Sequence, residues 1–138
     1  MADDLDRFVV AQEGAYASAL EELRRGHKTG HWMWFIFPQV VGLGSSSMSQ
    51  HFAISSLDDA RTYLAHPVLG ARLRECAAAI LENRGLLAVE IFGSIDAMKL
   101  RSSMTLFHRA VPGELVFAQV LDRLFDGIAD EKTDALLA

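Results

Sequence analysis

Two clusters of polar residues in this chain have the types and the spacing to do chemistry. The first is Lys28, His31 and Gln39. They flank the run Trp32-Met33-Trp34-Phe35-Ile36-Phe37-Pro38, which holds both tryptophans of the sequence. A lysine and a histidine beside Gly26 and Gly30 suit an anion such as phosphate or carboxylate, and backbone amides of a glycine-rich turn add donors. Trp32 and Trp34 offer faces for stacking a ring or a cation. The second cluster is Asp96, Lys99, Ser102, Ser103 and Thr105. Asp96, Lys99 and Ser103 fall on one helical face, and Ser102 stands on the adjoining face, four residues from Met98. Hydroxyls so dense within a helix either turn toward a ligand or bond back to the helix backbone. A plainer reading stands beside each cluster. The tryptophans fill the core, Lys28 and His31 are solvated, and Asp96 and Lys99 form a surface ion pair worth a few tenths of a kcal/mol, about 0.2–0.5.

Several specific chemistries are excluded. Gly26-His27-Lys28-Thr29 fails as a phosphate loop, because His27 stands where a glycine must precede the lysine and a helix lies upstream in place of a strand. His27 and His31 are four apart, but Gly30 between them makes a continuous helix doubtful. His51, His66 and His108 are isolated, with His66 placed before Pro67 as a cap. With one cysteine in the chain, no metal site is expected, and no cofactor is implied. No Gly-x-Ser-x-Gly elbow exists for a nucleophilic serine. If a proton is transferred, His31 and Asp96 are the first candidates.

The elements that must position these residues read as helices. Leu5, Phe8, Val9, Gln12, Tyr16, Ala19, Leu20 and Leu23 share a face, which predicts a first helix capped by Asp3 or Asp4 and stopped by Gly26. Residues 26–49 are irregular and glycine-rich around the aromatic run. Residues 32–37 and 86–92 fit either a turn of helix or a strand, and helical neighbours favour a short buried helix for the former. Ser56 caps a helix from Leu57 to about Ala65. Pro67 opens the next, which buries Leu69, Leu73, Cys76, Ala77, Ile80 and Leu81 and ends at Gly85. Ser94 caps a helix to about His108. Leu115–Phe125 is amphipathic and ends at Gly127, and Asp130 caps a tail helix. The prediction is an all-α bundle of about six to seven helices in one domain over residues 1–138.

Composition sets the boundaries of function. The 138 residues are 51% hydrophobic and 22% charged, which gives a folded core and not disorder. The net charge of −5 argues against general nucleic-acid binding. No apolar run approaches the roughly 18 residues that span a bilayer, and the acidic start Met1-Ala2-Asp3-Asp4 is unlike a signal peptide. A cytoplasmic protein is expected, with Cys76 buried in an apolar stripe and inert.

Lys28-Thr29-Gly30-His31-Trp32-Met33-Trp34-Phe35-Ile36-Phe37-Pro38-Gln39, followed by Gly42-Leu43-Gly44, resembles the signature of the family called domain of unknown function 1810. Further resemblance lies in His66-Pro67-Val68-Leu69-Gly70 with Arg72-Leu73, in Ile91-Phe92-Gly93 with Asp96, Lys99 and Leu100, and in Ser102-Ser103-Met104-Thr105-Leu106-Phe107. At His51-Phe52 the chain departs from the pattern, where an aromatic such as Tyr is expected second. The resemblance implies an all-helical domain and no established activity. Members are sometimes labelled "calpastatin"; that label fits a disordered, polar chain, which this composition excludes. The family motifs hold Lys28, His31, Gln39, Asp96, Lys99, Ser102, Ser103 and Thr105, and packing alone would favour few charged residues.

The expected function is binding, with or without turnover, of a small anionic, nucleotide-like or phosphorylated metabolite. Lys28, His31, Trp32, Trp34, Gln39, Lys99, Ser102, Ser103 and Thr105 are the expected ligand residues. The alternative is a homo-oligomeric or protein-interaction module that uses the Trp/Phe segment as its contact.

Overall fold

The structure is a computed structural model and describes residues 4–138. It is all-α, and the described residues contain no strand. The helices are α1 (Asp6–Glu13), α2 (Tyr16–Arg25), α3 (Met33–Ile36), α4 (Ser47–His51), α5 (Leu57–Ala65), α6 (Leu69–Glu82), α7 (Ala88–Ala110), α8 (Leu115–Phe125) and α9 (Glu131–Leu137). Leaving aside the single turns α3 and α4, seven helices remain among the described residues, as the apolar periodicity predicts.

Three boundaries differ from expectation. The single first helix is two, α1 and α2, broken at Gly14-Ala15. Glycine is a poor helix former, and the apolar face hides the break because both pieces bury the same stripe: Phe8 and Gln12 on one side, Ala19, Leu20 and Leu23 on the other. Of the two proposed caps, Asp3 lies outside the described residues, while the Asp4 carboxylate accepts the Asp6 N–H at 3.0 Å. The serine-rich loop also forms a helical turn, α4, because the Ser46 side chain accepts the Ser49 N–H and caps it. Finally, α7 holds the expected short apolar turn and the long helix after it in one stretch, but glycine makes the division, with no Ser94 side-chain cap bond among the described residues. A kink at Gly93 (φ 77°, ψ 166°) divides it, and only glycine reaches that conformation readily.

Other punctuation acts as the residue types dictate. Gly26 ends α2 at φ 76°, and His27 N–H reaches back to the Glu22 carbonyl at 3.0 Å, closing a Schellman cap. A side chain at Gly26 would also meet Leu86 Cδ1 at 2.5 Å. Ser56 caps α5 and Asp130 caps α9. His66 Nδ1 accepts the N–H groups of Val68 and Leu69, so it caps α6, while Pro67 lies in the turn before that helix.

One continuous apolar cluster joins all the long helices and takes in Trp32, Met33, Phe35, Ile36 and Phe37. The aromatic run is therefore helical and buried. Its carbonyl at Phe35 accepts the amide of Gln12, a buried polar residue that also reaches the Tyr63 hydroxyl. After the run, Val40 and Ile54 form an isolated parallel bridge, which fixes the path of the loop that follows Gln39. The outer side of α7, this loop and the N-terminal end of α9 meet around the two predicted clusters.

Candidate functional site

The glycine-rich turn does hold an anion, and that anion belongs to the chain. Glu22, on the buried stripe of α2, points its carboxylate into the turn. Oε1 accepts from Thr29 N–H at 2.6 Å, Gly30 N–H at 2.8 Å and Trp32 Nε1 at 3.1 Å. Burial acts to raise the pKa of this carboxyl, and the donors from Gly30, Thr29 and Trp32 outweigh it, so the group is held below the usual carboxylate range.

The same turn places Lys28. Its side chain is only 7% exposed and its ammonium lies 2.8 Å from Asp96 Oδ2. The ammonium also donates to the Gly30 carbonyl at 2.6 Å and stands 5.0 Å from the Trp32 ring centroid. Lys28 N–H bonds the Ile91 carbonyl at 2.8 Å, which ties the turn to the first part of α7. The charge of Lys28 is thus matched inside the protein.

Lys99 is differently placed. It approaches the other oxygen of Asp96 at 3.7 Å with a side chain 23% exposed, and its ammonium lies 4.8 Å from the centroid of the Trp34 ring. Asp96 therefore sits between two ammonium groups, which leaves it poorly disposed to act as a free base.

Lys99 faces an open cleft of about 330 Å³ whose walls include Gln39, Leu43, Ser49, Ile95, Met98, Ser102, Asp130 and Lys132. Ile95, Met98, Lys99 and Ser102 recur at i, i+3, i+4 and i+7, a single helical face. Ile95 is 71% and Met98 68% exposed, so this face of α7 is not covered by the rest of the fold. Neither the Gln39 amide nor the Lys132 ammonium has a hydrogen-bond or ion-pair partner among the described residues. Ser49 Oγ accepts from Ser46 Oγ and keeps its own proton for another acceptor.

A latch closes one end of the cleft. Asp130 Oδ2 accepts from Ser102 Oγ at 3.1 Å, from Thr133 N–H at 3.0 Å and from Thr133 Oγ1 at 2.6 Å. Asp130 N–H donates to Thr105 Oγ1 at 2.9 Å. Arg101 donates to the Ile128 and Ala129 carbonyls. These bonds dock the segment before α9 onto α7 and bring Lys132 to the cleft.

The structure thus gathers Gln39, Lys99 and Ser102 at one cleft with Trp34 behind Lys99. Lys28, Trp32 and Asp96 support that arrangement from within; Trp32 is 2% exposed. The remaining expected residues lie elsewhere. His31 is exposed and bonds to neither lysine. Thr105 is buried in the latch, where it also bonds the Arg101 carbonyl. Ser103 is fully buried with an unpartnered hydroxyl. It follows Asp96 by seven residues and Lys99 by four, yet the residue presented to the cleft is Ser102, because the face in use is shifted one residue along the helix. Cys76 is buried, and burial pushes its thiol up to about 12, as an inert core cysteine requires.

Glu22, Leu43, Ser49, Asp130 and Lys132 were outside the sequence expectation. A carboxylate on the stripe of Ala19 and Leu23, just upstream of a glycine-rich turn, is a signal for Glu22. The others come from separate loops and helix ends, and no local spacing marks them. Among the described residues no cluster of histidine, cysteine, aspartate and glutamate could hold a metal ion, and no helix is long and apolar enough to cross a membrane.

The chain is similar to a solved structure, the crystal structure of the conserved hypothetical protein Rv1873 from Mycobacterium tuberculosis. The two are 50% identical, with a TM-score of 0.96 over 97% of this chain and 96% of that one. No curated protein matches. A family model described as "Protein of unknown function (DUF1810)" matches residues 2–137, and the chain belongs to that family.

Proposed function

We infer that the cleft at Lys99 binds a small anionic metabolite, nucleotide-like or phosphorylated. The observation that carries this reading is the convergence of Lys99, Lys132 and Gln39 on one cleft beside exposed apolar side chains, with Ser102 in the wall but its hydroxyl held by the Met98 carbonyl and Asp130. Asp130, the acidic residue among the named walls, has its Oδ2 held by three neutral donors of the latch, so its charge remains at one end of the cleft. Two lysines against one aspartate line the cleft in a protein of net charge −5, which favours an anion at that place over the rest of the surface. The cleft's size is at the lower end of small-molecule sites, about 300–1,000 Å³. Ile95 and Met98 give the uncharged body of such a ligand an apolar surface to cover.

The alternative of an interaction module has less support at the Trp/Phe segment. Trp32, Phe35 and Phe37 are core residues, and a partner contact would have to use Ile95, Met98 and their neighbours instead.

Tryptophan emission tests the binding reading, because Trp34 lies against the Lys99 ammonium. Titration with nucleoside monophosphates and sugar phosphates is expected to change emission and raise the Tm in the wild type, and to do neither in Lys99→Ala. Absence of any response in the wild type to millimolar concentrations of these compounds would overturn the reading.

A further inference from the structure

We propose that the cleft takes a phosphomonoester carried on a planar, hydrogen-bonding ring, a nucleoside monophosphate, with Gln39 as the residue that reads the edge of the ring. This rests on the anion-binding reading above and adds the ligand's second half to it.

The argument starts from what the cleft leaves unused. Gln39 follows Pro38 at the exit of the aromatic turn. Its backbone carbonyl is committed to the Ile54 N–H at 2.9 Å, and the bridge of Val40 to Ile54 fixes the adjoining residue. The backbone is held, while the side-chain amide is half-buried in the cleft wall without a partner. A carboxamide presents one donor and one acceptor side by side, so its natural complement is a group that offers the reverse pair in one plane. The edge of a nucleobase does this: glutamine pairs bidentately with a ring nitrogen and the adjacent exocyclic amine of adenine. A bare phosphate dianion, which only accepts, leaves the amide oxygen unmatched, and a sugar diol that can satisfy both halves offers no flat face to Ile95 and Met98.

The walls suit a flat ring better than a sugar. Ile95 and Met98 present exposed apolar side chains on one turn of α7, and Leu43 comes from the loop beyond Gln39. A ring lying on these side chains removes apolar surface from water on its face while Gln39 meets its edge. Met98 adds a polarisable sulfur, which packs favourably on aromatic rings. The same cleft carries two cations. Lys99 approaches from the middle of α7, Lys132 from the first turn of α9, and Ser49 keeps a hydroxyl proton free. Two ammonium groups, that of Lys99 shared with Asp96 at 3.7 Å, meet the roughly −1.5 to −2 charge of a phosphomonoester near neutral pH.

Calorimetric titration of the full chain with AMP, ribose 5-phosphate and inorganic phosphate separates the two halves of the site. AMP is expected to bind at least tenfold more tightly than ribose 5-phosphate, and Gln39→Leu to reduce that preference to less than twofold. Gln39→Glu, which keeps an acceptor and loses the donor, is expected to weaken AMP further by adding an anion to the cleft. The Tm of each variant confirms that it folds. Equal binding of AMP and ribose 5-phosphate with loss of both in Lys99→Ala would overturn the ring-reading inference and leave the anion site standing. A preference for AMP that survives Gln39→Leu would overturn the role given to Gln39. Failure of all three probes to bind would overturn both readings together.

Discussion

The turn at Gly26–Trp32 and the cleft at Lys99 contain the same kinds of residue and are built for opposite ends. In the turn, every charged group has found its complement. Glu22 fills the backbone amides of Thr29 and Gly30, and Lys28 is matched by Asp96 and the Gly30 carbonyl. In the cleft, the Gln39 amide and the Lys132 ammonium are unmatched among the described residues, and Lys99 keeps a 3.7 Å contact with Asp96 and the face of Trp34. A lysine beside glycines and tryptophans is therefore not in itself a ligand site. The distinction is whether the protein has already supplied the counter-ion, and Lys28 and Lys99 divide on that point although both reach the same carboxylate.

If the turn is scaffold, its loss must be expensive. Trp32→Ala is expected to lower stability by about 3–5 kcal/mol, the usual cost of deleting a buried large aromatic, measured by urea unfolding. A cost under about 1 kcal/mol would show that the indole is not packed as described. Glu22→Gln is expected to cost about 1–2 kcal/mol, because an amide oxygen in the place of Oε1 accepts the same three bonds without the charge that strengthens them. The pH dependence has a fixed sign. The folded pKa of Glu22 lies below its unfolded value, so its ionised form favours folding. That contribution is fully present above the unfolded pKa of about 4.3 and is lost as pH falls through the folded pKa. The stability gap between wild type and Glu22→Gln is expected to hold constant above about pH 5.5 and to close in acid. A gap that persists unchanged to pH 2 would refute it.

Between scaffold and cleft stands the latch. Asp130→Ala removes the cap of α9 and the acceptor of both Thr133 groups and of Ser102. The expected cost is about 1–2 kcal/mol. Amide exchange is expected to quicken across Glu131–Leu137 and to stay slow in α6 and α8. Uniform quickening across the chain would mean that α9 and the core open together, not that α9 undocks alone.

The parts of this molecule that were legible in the sequence are those with a local cause. Ser56 and Asp130 announce their helices because a cap acts within three residues. The stretch Leu115–Phe125 announces itself by its 3.6-residue period. Gly26 was readable as a stop, yet Gly14 was not, because the apolar stripe runs through the break and only the packing of two separate helices reveals it. The candidate site shows the same division. Lys99, Gln39 and Ser102 were legible as polar residues within otherwise apolar motifs. Ser103 was misjudged because a helical wheel defines faces only to within a residue. Lys132, Ser49 and Leu43 were invisible, since they join the site through the docking of α9 and the loop after Gln39, and neither event has a sequence period. His31 had the right chemistry and the wrong direction, which spacing in an irregular turn does not determine.

Lys99→Ala sharpens the comparison with the smallest structural effect. The substitution removes a partly exposed ammonium at the far side of Asp96, while Lys28 keeps the nearer oxygen, so Asp96 is not left uncompensated. The lost contact is weak, and such pairs contribute about 0–1 kcal/mol; the methylene stem against Trp34 adds little more. Stability is expected to fall by less than about 1 kcal/mol, with unfolding cooperative as before. Tryptophan emission in the unliganded protein is expected to change, because Trp34 loses the cation above its ring, whereas Trp32, sealed beneath Lys28, is unaffected. Lys28→Met is the counterpart. It removes the matched charge, leaves the Gly30 carbonyl without its ammonium donor and releases Asp96 toward Lys99. It is expected to destabilise more than Lys99→Ala, by urea unfolding, while ligand-induced emission changes survive in proportion to the folded fraction. Should the order reverse, with Lys99→Ala the more damaging to stability, Lys99 would belong to the scaffold and the cleft would lose its principal cation.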